Sequence, residues 1–191
     1  MNRKFFSLSA AALMLSALST QVIADGNSTS ITTKPRPVRT ESEYKPHFGV
    51  QAGFTNPNGS YKPALDYCLD LGFQPYVPFG LGLELGHSSS ESTINQPDLV
   101  RTRLLAKGTY NFGGTIPVVR YSYLGVGLGT SFESGTTLLI STPVAGFDIP
   151  LVGSKTEEVG SLSLGAVAKY MIYEGSNPNA FSLNGVVKAW F

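Results

Sequence analysis

Phe79-Gly80-Leu81-Gly82-Leu83-Glu84-Leu85-Gly86 (FGLGLELG) sets a bulky apolar residue at every odd position and a glycine or glutamate at every even one. A period of two is that of an extended strand, whose successive side chains point to opposite faces. The placement of the charge decides what kind of strand. A water-soluble barrel fills its interior with the bulky set and leaves charge in solvent. Here Glu84 shares its face with Gly80, Gly82 and Gly86, as in a strand whose bulky face meets lipid and whose small, polar face lines a narrow lumen.

The same division repeats in both directions, giving eight expected strands. The first, His47 to Thr55, sets Phe48, Val50, Ala52 and Phe54 against Gly49, Gln51 and Gly53. In the second, Ala64 to Gln74, Leu65, Tyr67, Leu69, Leu71 and Phe73 alternate with Asp66, Cys68, Asp70 and Gly72. Beyond the quoted third strand, the fourth spans about Val100 to Phe112, with Leu104, Ala106 and Tyr110 opposite Arg103, Lys107 and Thr109. The fifth runs to about Glu133, the seventh covers Gly160 to Tyr173, and the eighth runs from Ala180 to Phe191. In the sixth, Thr136 to Leu151, the alternation slips near Pro143, which reads as a bulge. Four connections at one end are short and polar: Asn56 to Pro63, Ser88 to Leu99, Glu133 to Gly135, and Glu174 to Asn179.

The rest of the chain agrees. Arg3 and Lys4 precede the apolar run Leu8 to Leu18, and Val22-Ile23-Ala24 follows. That run is short of the ~20 residues of a spanning helix and reads as a cleaved signal peptide, residues 1–24. Residues 25–46, rich in Ser, Thr and Pro, read as a flexible periplasmic leader, and residues 47–191 as the barrel. No later apolar run is long enough for a transmembrane helix. A formal net charge of +1 offers nothing to nucleic acid. Cys68 is the single cysteine, so no intramolecular disulfide forms.

Aromatic residues collect at strand ends, as expected of two interfacial girdles. One end carries Phe48, Phe73, Tyr76, Phe79, Tyr110, Phe112, Tyr121, Tyr123, Phe147, Trp190 and Phe191; the other carries Phe54, Tyr61, Phe132, Tyr170, Tyr173 and Phe181. Arg120 is expected on the lipid side at the periplasmic edge, its head reaching water. A sheet in lipid must close on itself, and an even number of strands returns the C-terminus to the side of the N-terminus. The fold class is thus all-β: an eight-stranded antiparallel up-and-down transmembrane β-barrel.

Phe79–Gly86, Leu104–Phe112 (LLAKGTYNF), Tyr123–Gly129 (YLGVGLG), Leu164–Tyr170 (LGAVAKY) and the terminal Trp190-Phe191 resemble the small outer-membrane barrels of the OmpA/OmpX and opacity-protein type. The resemblance covers about residues 47–191. It implies residence in a bacterial outer membrane among lipid and lipopolysaccharide, and a terminal Phe191 read by the barrel-assembly machinery.

Candidate chemistry is sparse. His87 beside Ser88, Ser89, Ser90 and Glu91 suggests a nucleophile and base, yet neighbours on a strand face opposite ways, and a polar extracellular loop explains the run better. His47 stands alone and reads as interfacial. Neither histidine has a Cys or second His at ligand spacing, so no metal is expected. Gly125–Gly129 lacks the helix and Lys of a phosphate loop. No catalytic, cofactor-binding or metal residue is therefore assigned, and no cofactor. The inward charges say more: Asp66, Asp70, Glu84 and Asp148 face Arg103, Lys107, Lys169 and Lys188. In so narrow a barrel they are expected to pair, Glu84 with Lys107 or Arg103. The expected role is non-enzymatic, in envelope structure or surface contact, as a monomer. The alternatives are a lipid A-modifying enzyme and a small pore. The signal peptide yields the first prediction: cleavage follows Ala24, so sequencing of the mature protein begins at Asp25.

Overall fold

The computed structural model describes residues 46–191 except 77, 114–115 and 153–160. The expected signal peptide, and all of the expected leader but Pro46, lie outside the described residues. Eight strands follow in order: β1 (Pro46–Pro57), β2 (Ala64–Tyr76), β3 (Phe79–Ser90), β4 (Leu99–Asn111), β5 (Ser122–Glu133), β6 (Thr136–Val152), β7 (Ser161–Tyr173) and β8 (Ala180–Trp190). One helical turn, α1 (Pro117–Arg120), precedes β5. Every strand pairs antiparallel with its sequence neighbours, and β8 pairs with β1 to close the barrel.

The registers fix the stagger. Paired residues lead from Pro46 to Phe73, Leu81, Gly108, Val126 and Pro143. Crossing to β7 in the register of Val144 with Lys169 reaches Tyr170, then Phe181, and returns to β1 at Asn56, ten positions on from Pro46. Such a stagger tilts strands by roughly 40° and leaves an interior that side chains fill.

Burial follows the alternation with the sense of a soluble protein inverted. In β3, Leu81 and Leu83 are 60% and 53% exposed while Glu84 is 1% exposed. Most bulky apolar residues face outward, among them Phe48 and Phe54, Leu65, Leu69, Leu71 and Phe73, Leu124, Val126 and Leu128, Leu162 and Leu164, Phe181 and Leu183. An apolar belt running right round the molecule far exceeds the patches a soluble monomer exposes. The fold is thus the expected one.

Three local expectations are corrected. β6 runs through Pro143 without a bulge: Leu139, Pro143 and Ala145 face outward, and Ile140, Thr142, Val144 and Asp148 inward. Its ladder to β7 is interrupted at Thr142 and Pro143, where proline has no N–H to donate, and resumes in the same register. The register shift lies between Pro150 and Val152. The sequence suggested a slip at Pro143 because β6 carries apolar residues, Ile140 and Val144, on its inward face as well. Arg120 lies in α1 rather than on a lipid-facing strand, its guanidinium carbon 5.4 Å from the centre of the Tyr121 ring. β3 continues to Ser90, so Ser88, Ser89 and Ser90 belong to the wall and not to the loop.

The belt sets the energetic sensitivity. Leu83→Arg, at mid-height, is expected to destabilise the barrel in liposomes by about 2–4 kcal/mol, and Phe73→Arg, near the turn end, by only about 0–1 kcal/mol. Urea unfolding in lipid vesicles compares the two.

Candidate functional site: the charged lumen

The inward face of each strand alternates strictly, so side chains two residues apart climb the lumen in columns. Near the end that holds Pro46 and Phe191, the His47 ring packs on Trp190 with centroids 4.5 Å apart, and its Nε2 lies 3.6 Å from Asp70 Oδ2. Gly72 leaves the room for that ring: a Cβ there would lie 1.9 Å from His47 Cε1. Beside it, Lys188 Nζ donates to Asp148 Oδ2 at 2.7 Å and lies 3.9 Å from Asp70 Oδ2. The same ammonium stands 4.9 Å from the centre of the Tyr123 ring.

At mid-lumen, Lys107 Nζ bridges Asp70 Oδ1 at 2.6 Å and Glu84 Oε2 at 3.0 Å. Lys169 Nζ holds the other Glu84 oxygen, Oε1, at 2.5 Å, and Gln51 Nε2 donates to Oε2 at 3.3 Å. The groups Asp148, Lys188, Asp70, Lys107, Glu84 and Lys169 thus alternate in sign along the barrel. Burial of an ion costs several kcal/mol unless opposite charge and hydrogen bonds compensate it, and here each charge sits between others that do.

Towards the loop end, Arg103 pairs with Asp66 and donates from Nη1 to Ser88 Oγ at 3.0 Å. Asp66 Oδ2 also accepts from Ser182 Oγ at 2.6 Å and Asn184 Nδ2 at 3.0 Å. Cys68 Sγ lies within this network, 3.2 Å from Lys169 Nζ. Alongside sits an apolar cluster of Leu105, Ile140, Met171, Tyr173 and Ala180. Above it Arg101 lies 3.7 Å over the Tyr173 ring, donates from Nε to Glu133 Oε2 at 2.9 Å, and from Nη1 to the Pro178 carbonyl at 2.9 Å. In the half nearer Pro46 a cavity of about 40 Å³ lies among Asp70, Lys107, Asp148, Lys188 and Trp190. It has room for a few waters.

The sequence-derived residues distribute as follows. Glu84, Lys107, Asp70, Lys169 and Lys188 meet in one network with Asp148, while Asp66 and Arg103 form a second. Glu84 contacts Lys107 but not Arg103, and its other cation, Lys169, comes from the far wall. Gln51, Ser182, Asn184 and the Arg101–Glu133 pair were not singled out beforehand; the phase of their strands carried that information. His47 is not interfacial: its side chain is 13% exposed and faces the lumen, being out of phase with Phe48. Three expected girdle residues also point inward, since each is on the lumen phase of its strand: Tyr123, Tyr173 and Trp190, whose Nε1 donates to Ser163 Oγ at 3.1 Å. The outward aromatics include Phe79, Tyr110 and Phe112, meeting edge to face at 5.4 and 5.7 Å.

His87 and Ser88 occupy opposite faces of the wall. His87 Nδ1 lies 3.0 Å from Thr102 Oγ1 on the outside, and Ser88 is committed to Arg103 within. Among the described residues, no three His, Cys, Asp or Glu side chains are grouped so as to hold a metal.

No family model matches this sequence, and no curated protein matches it. Among solved structures, the crystal structure of Neisserial surface protein A (NspA) is similar, with a TM-score of 0.51 and 14% sequence identity, covering 78% of this chain and 97% of that one. At that identity the likeness is one of fold.

The lumen network makes a coupled prediction. Glu84→Ala leaves Lys169 without its carboxylate and Lys107 with Asp70 alone, and removal of one partner from a buried pair costs about 3–5 kcal/mol, less where water enters. Glu84→Ala combined with Lys169→Met is expected to destabilise by less than the sum of the single changes. Thermal unfolding in detergent measures all three; strict additivity would mean that the pair does not interact.

Proposed function

We propose that this chain is an integral protein of a bacterial outer membrane with a non-enzymatic role in envelope structure or surface contact. One observation carries the reading: an unbroken apolar belt surrounds a lumen whose charges are bonded to one another. The belt suits hydrocarbon, and among the described residues the lumen's carboxylates are engaged by lysine and arginine, which supports a structural interior. The likeness to a surface-protein barrel supports the location. The four connections at the loop end are short, the longest joining β3 to β4, which favours a compact exposed rim over a large binding platform. In this reading Phe191 is the terminal signal for barrel assembly. It is 66% exposed on the outer face, and its N–H donates to the Pro46 carbonyl at 3.1 Å across the β8–β1 seam.

A small pore is the second reading, and the water-sized cavity below Glu84 favours it. Planar-bilayer recording separates the two: the closed lumen is expected to show no large steady conductance, and such a conductance would promote the pore. The wider proposal is tested by fractionation and by lipid A mass spectra from cells with and without the gene. The mature chain is expected in outer-membrane fractions, with lipid A masses unchanged. Recovery as a soluble periplasmic protein would overturn the location; a lipid A mass difference would overturn the non-enzymatic role.

A further inference from the structure

His47 is the second residue of β1 and Trp190 the last of β8, so their stacked rings stand at the turn end of the lumen. The cavity of about 40 Å³ lies just inside, with both rings in its lining. Gly72 pairs with His47 across the β1–β2 ladder, and the imidazole occupies the slot that the missing Cβ leaves. Within this slot Nε2 faces Asp70 Oδ2 and carries the ring proton, since a bare nitrogen there would meet the lone pairs of the carboxylate. Nδ1 is then the bare nitrogen. It is buried and has no hydrogen-bond partner among the described residues. The slot thus fits the neutral ring.

A second proton upsets this arrangement in two ways. It turns Nδ1 into a donor, and a buried donor without an acceptor is costly. The added charge is also surplus. The network above His47 already balances, with Asp70, Glu84 and Asp148 set against Lys107, Lys169 and Lys188. Asp70, the carboxylate that His47 faces, is shared with Lys107 at 2.6 Å and Lys188 at 3.9 Å. The surrounding elements bring few titrating groups: Asp70 from β2, Lys188 from β8, Asp148 from β6 and the Tyr123 phenol from β5. β7 brings Ser161 and Ser163, and the terminal carboxylate of Phe191 follows Trp190. Between about pH 5 and 8 the imidazole is the side chain among these that ordinarily changes charge.

We propose that His47 is a proton-operated latch on the turn-end mouth of the lumen. The neutral ring seals the cavity; the imidazolium leaves its slot and admits water to Lys188, Asp148 and Asp70. Standing one residue from the start of its strand, His47 needs only a side-chain rotation to reach solvent. Higher in the barrel the Arg103–Asp66 pair and the cluster around Leu105 close the lumen whatever the state of His47. Acid therefore wets the lower half without opening a through pore. In the outer-membrane reading above this end faces the periplasm, but the latch depends on the lumen geometry alone.

Trp190 is the single tryptophan of the chain and reports on the stack directly. The mature protein in nonionic detergent micelles is titrated from about pH 8 to pH 5, with Trp190 emission and its quenching by acrylamide recorded. Acid is expected to shift the emission to longer wavelength and to raise quenching several-fold in one single-proton transition, with strand content by circular dichroism unchanged. His47→Phe, a ring without a titrating nitrogen, is expected to hold the alkaline signal throughout. His87→Gln, at the other histidine on the outer wall, is expected to respond as wild type does. In Gly72→Ala the new Cβ would lie 1.9 Å from His47 Cε1, so the ring is expected to be evicted and quenching to be high at both ends of the titration. A flat wild-type titration overturns the latch, and a response that survives in His47→Phe overturns His47 as its origin. A spectral change without added quenching leaves the protonated ring in its slot and overturns the opening. Low quenching of Gly72→Ala at the alkaline end overturns the slot as the seal. None of these outcomes touches the outer-membrane reading, which fractionation tests separately.

Discussion

The pairing of β8 with β1 is the constraint from which the other features follow. In hydrocarbon an unpaired N–H or C=O costs several kcal/mol, so a sheet there can have no free edge. Closure with eight strands and a ten-residue stagger then sets the radius. A lumen of that radius is filled by side chains, here glycines, charged groups paired with one another, and apolar clusters around Leu105 and Val144. The belt, the glycine columns and the internal ion pairs are three consequences of one closed ladder.

Glu84 shows how the filling is achieved. A single carboxylate takes Lys107 from the adjacent strand, Lys169 from the opposite wall and Gln51 from β1. Its direct cross-strand neighbours on β2 and β4 are Asp70 and Leu105, neither of which supplies a countercharge. The long cationic side chains supply the reach instead: Lys107 pairs in register with Gly82, and the glycine leaves space past which the lysine extends. The network therefore depends on flexible cations and small neighbours together.

Much of this was legible in the sequence because a period of two is simple to read and the outward set is mostly apolar and almost free of charge. Strand order, inward and outward faces and the identity of the lumen charges all follow from that pattern. What escaped has specific causes. Pro143 suggested a bulge because Ile140 and Val144 make β6 apolar on both faces, and only the neighbouring registers reveal that the strand stays in phase. Trp190, Tyr123 and Tyr173 were counted with the girdles because an aromatic at a strand end fits that pattern whichever way it points. The partner of Arg103 was out of reach for another reason. Sequence gives the height of a residue on its strand, while the stagger, which depends on every loop, decides what lies across the lumen.

The contacts of Glu84 have a consequence for how the architecture can change. Its partners are separated from it by 33, 23 and 85 residues, so they come from strands spread around the circumference. Barrels diversify readily by duplicating hairpins, each added pair of strands widening the ring. Inserting a hairpin between β4 and β7 would carry Lys169 away from Glu84 and leave both charges facing an enlarged interior. Water would then have to enter to solvate them, turning a filled cylinder into an aqueous one. The paired charges thus act as a gauge of circumference, tying the strand number of this barrel to eight.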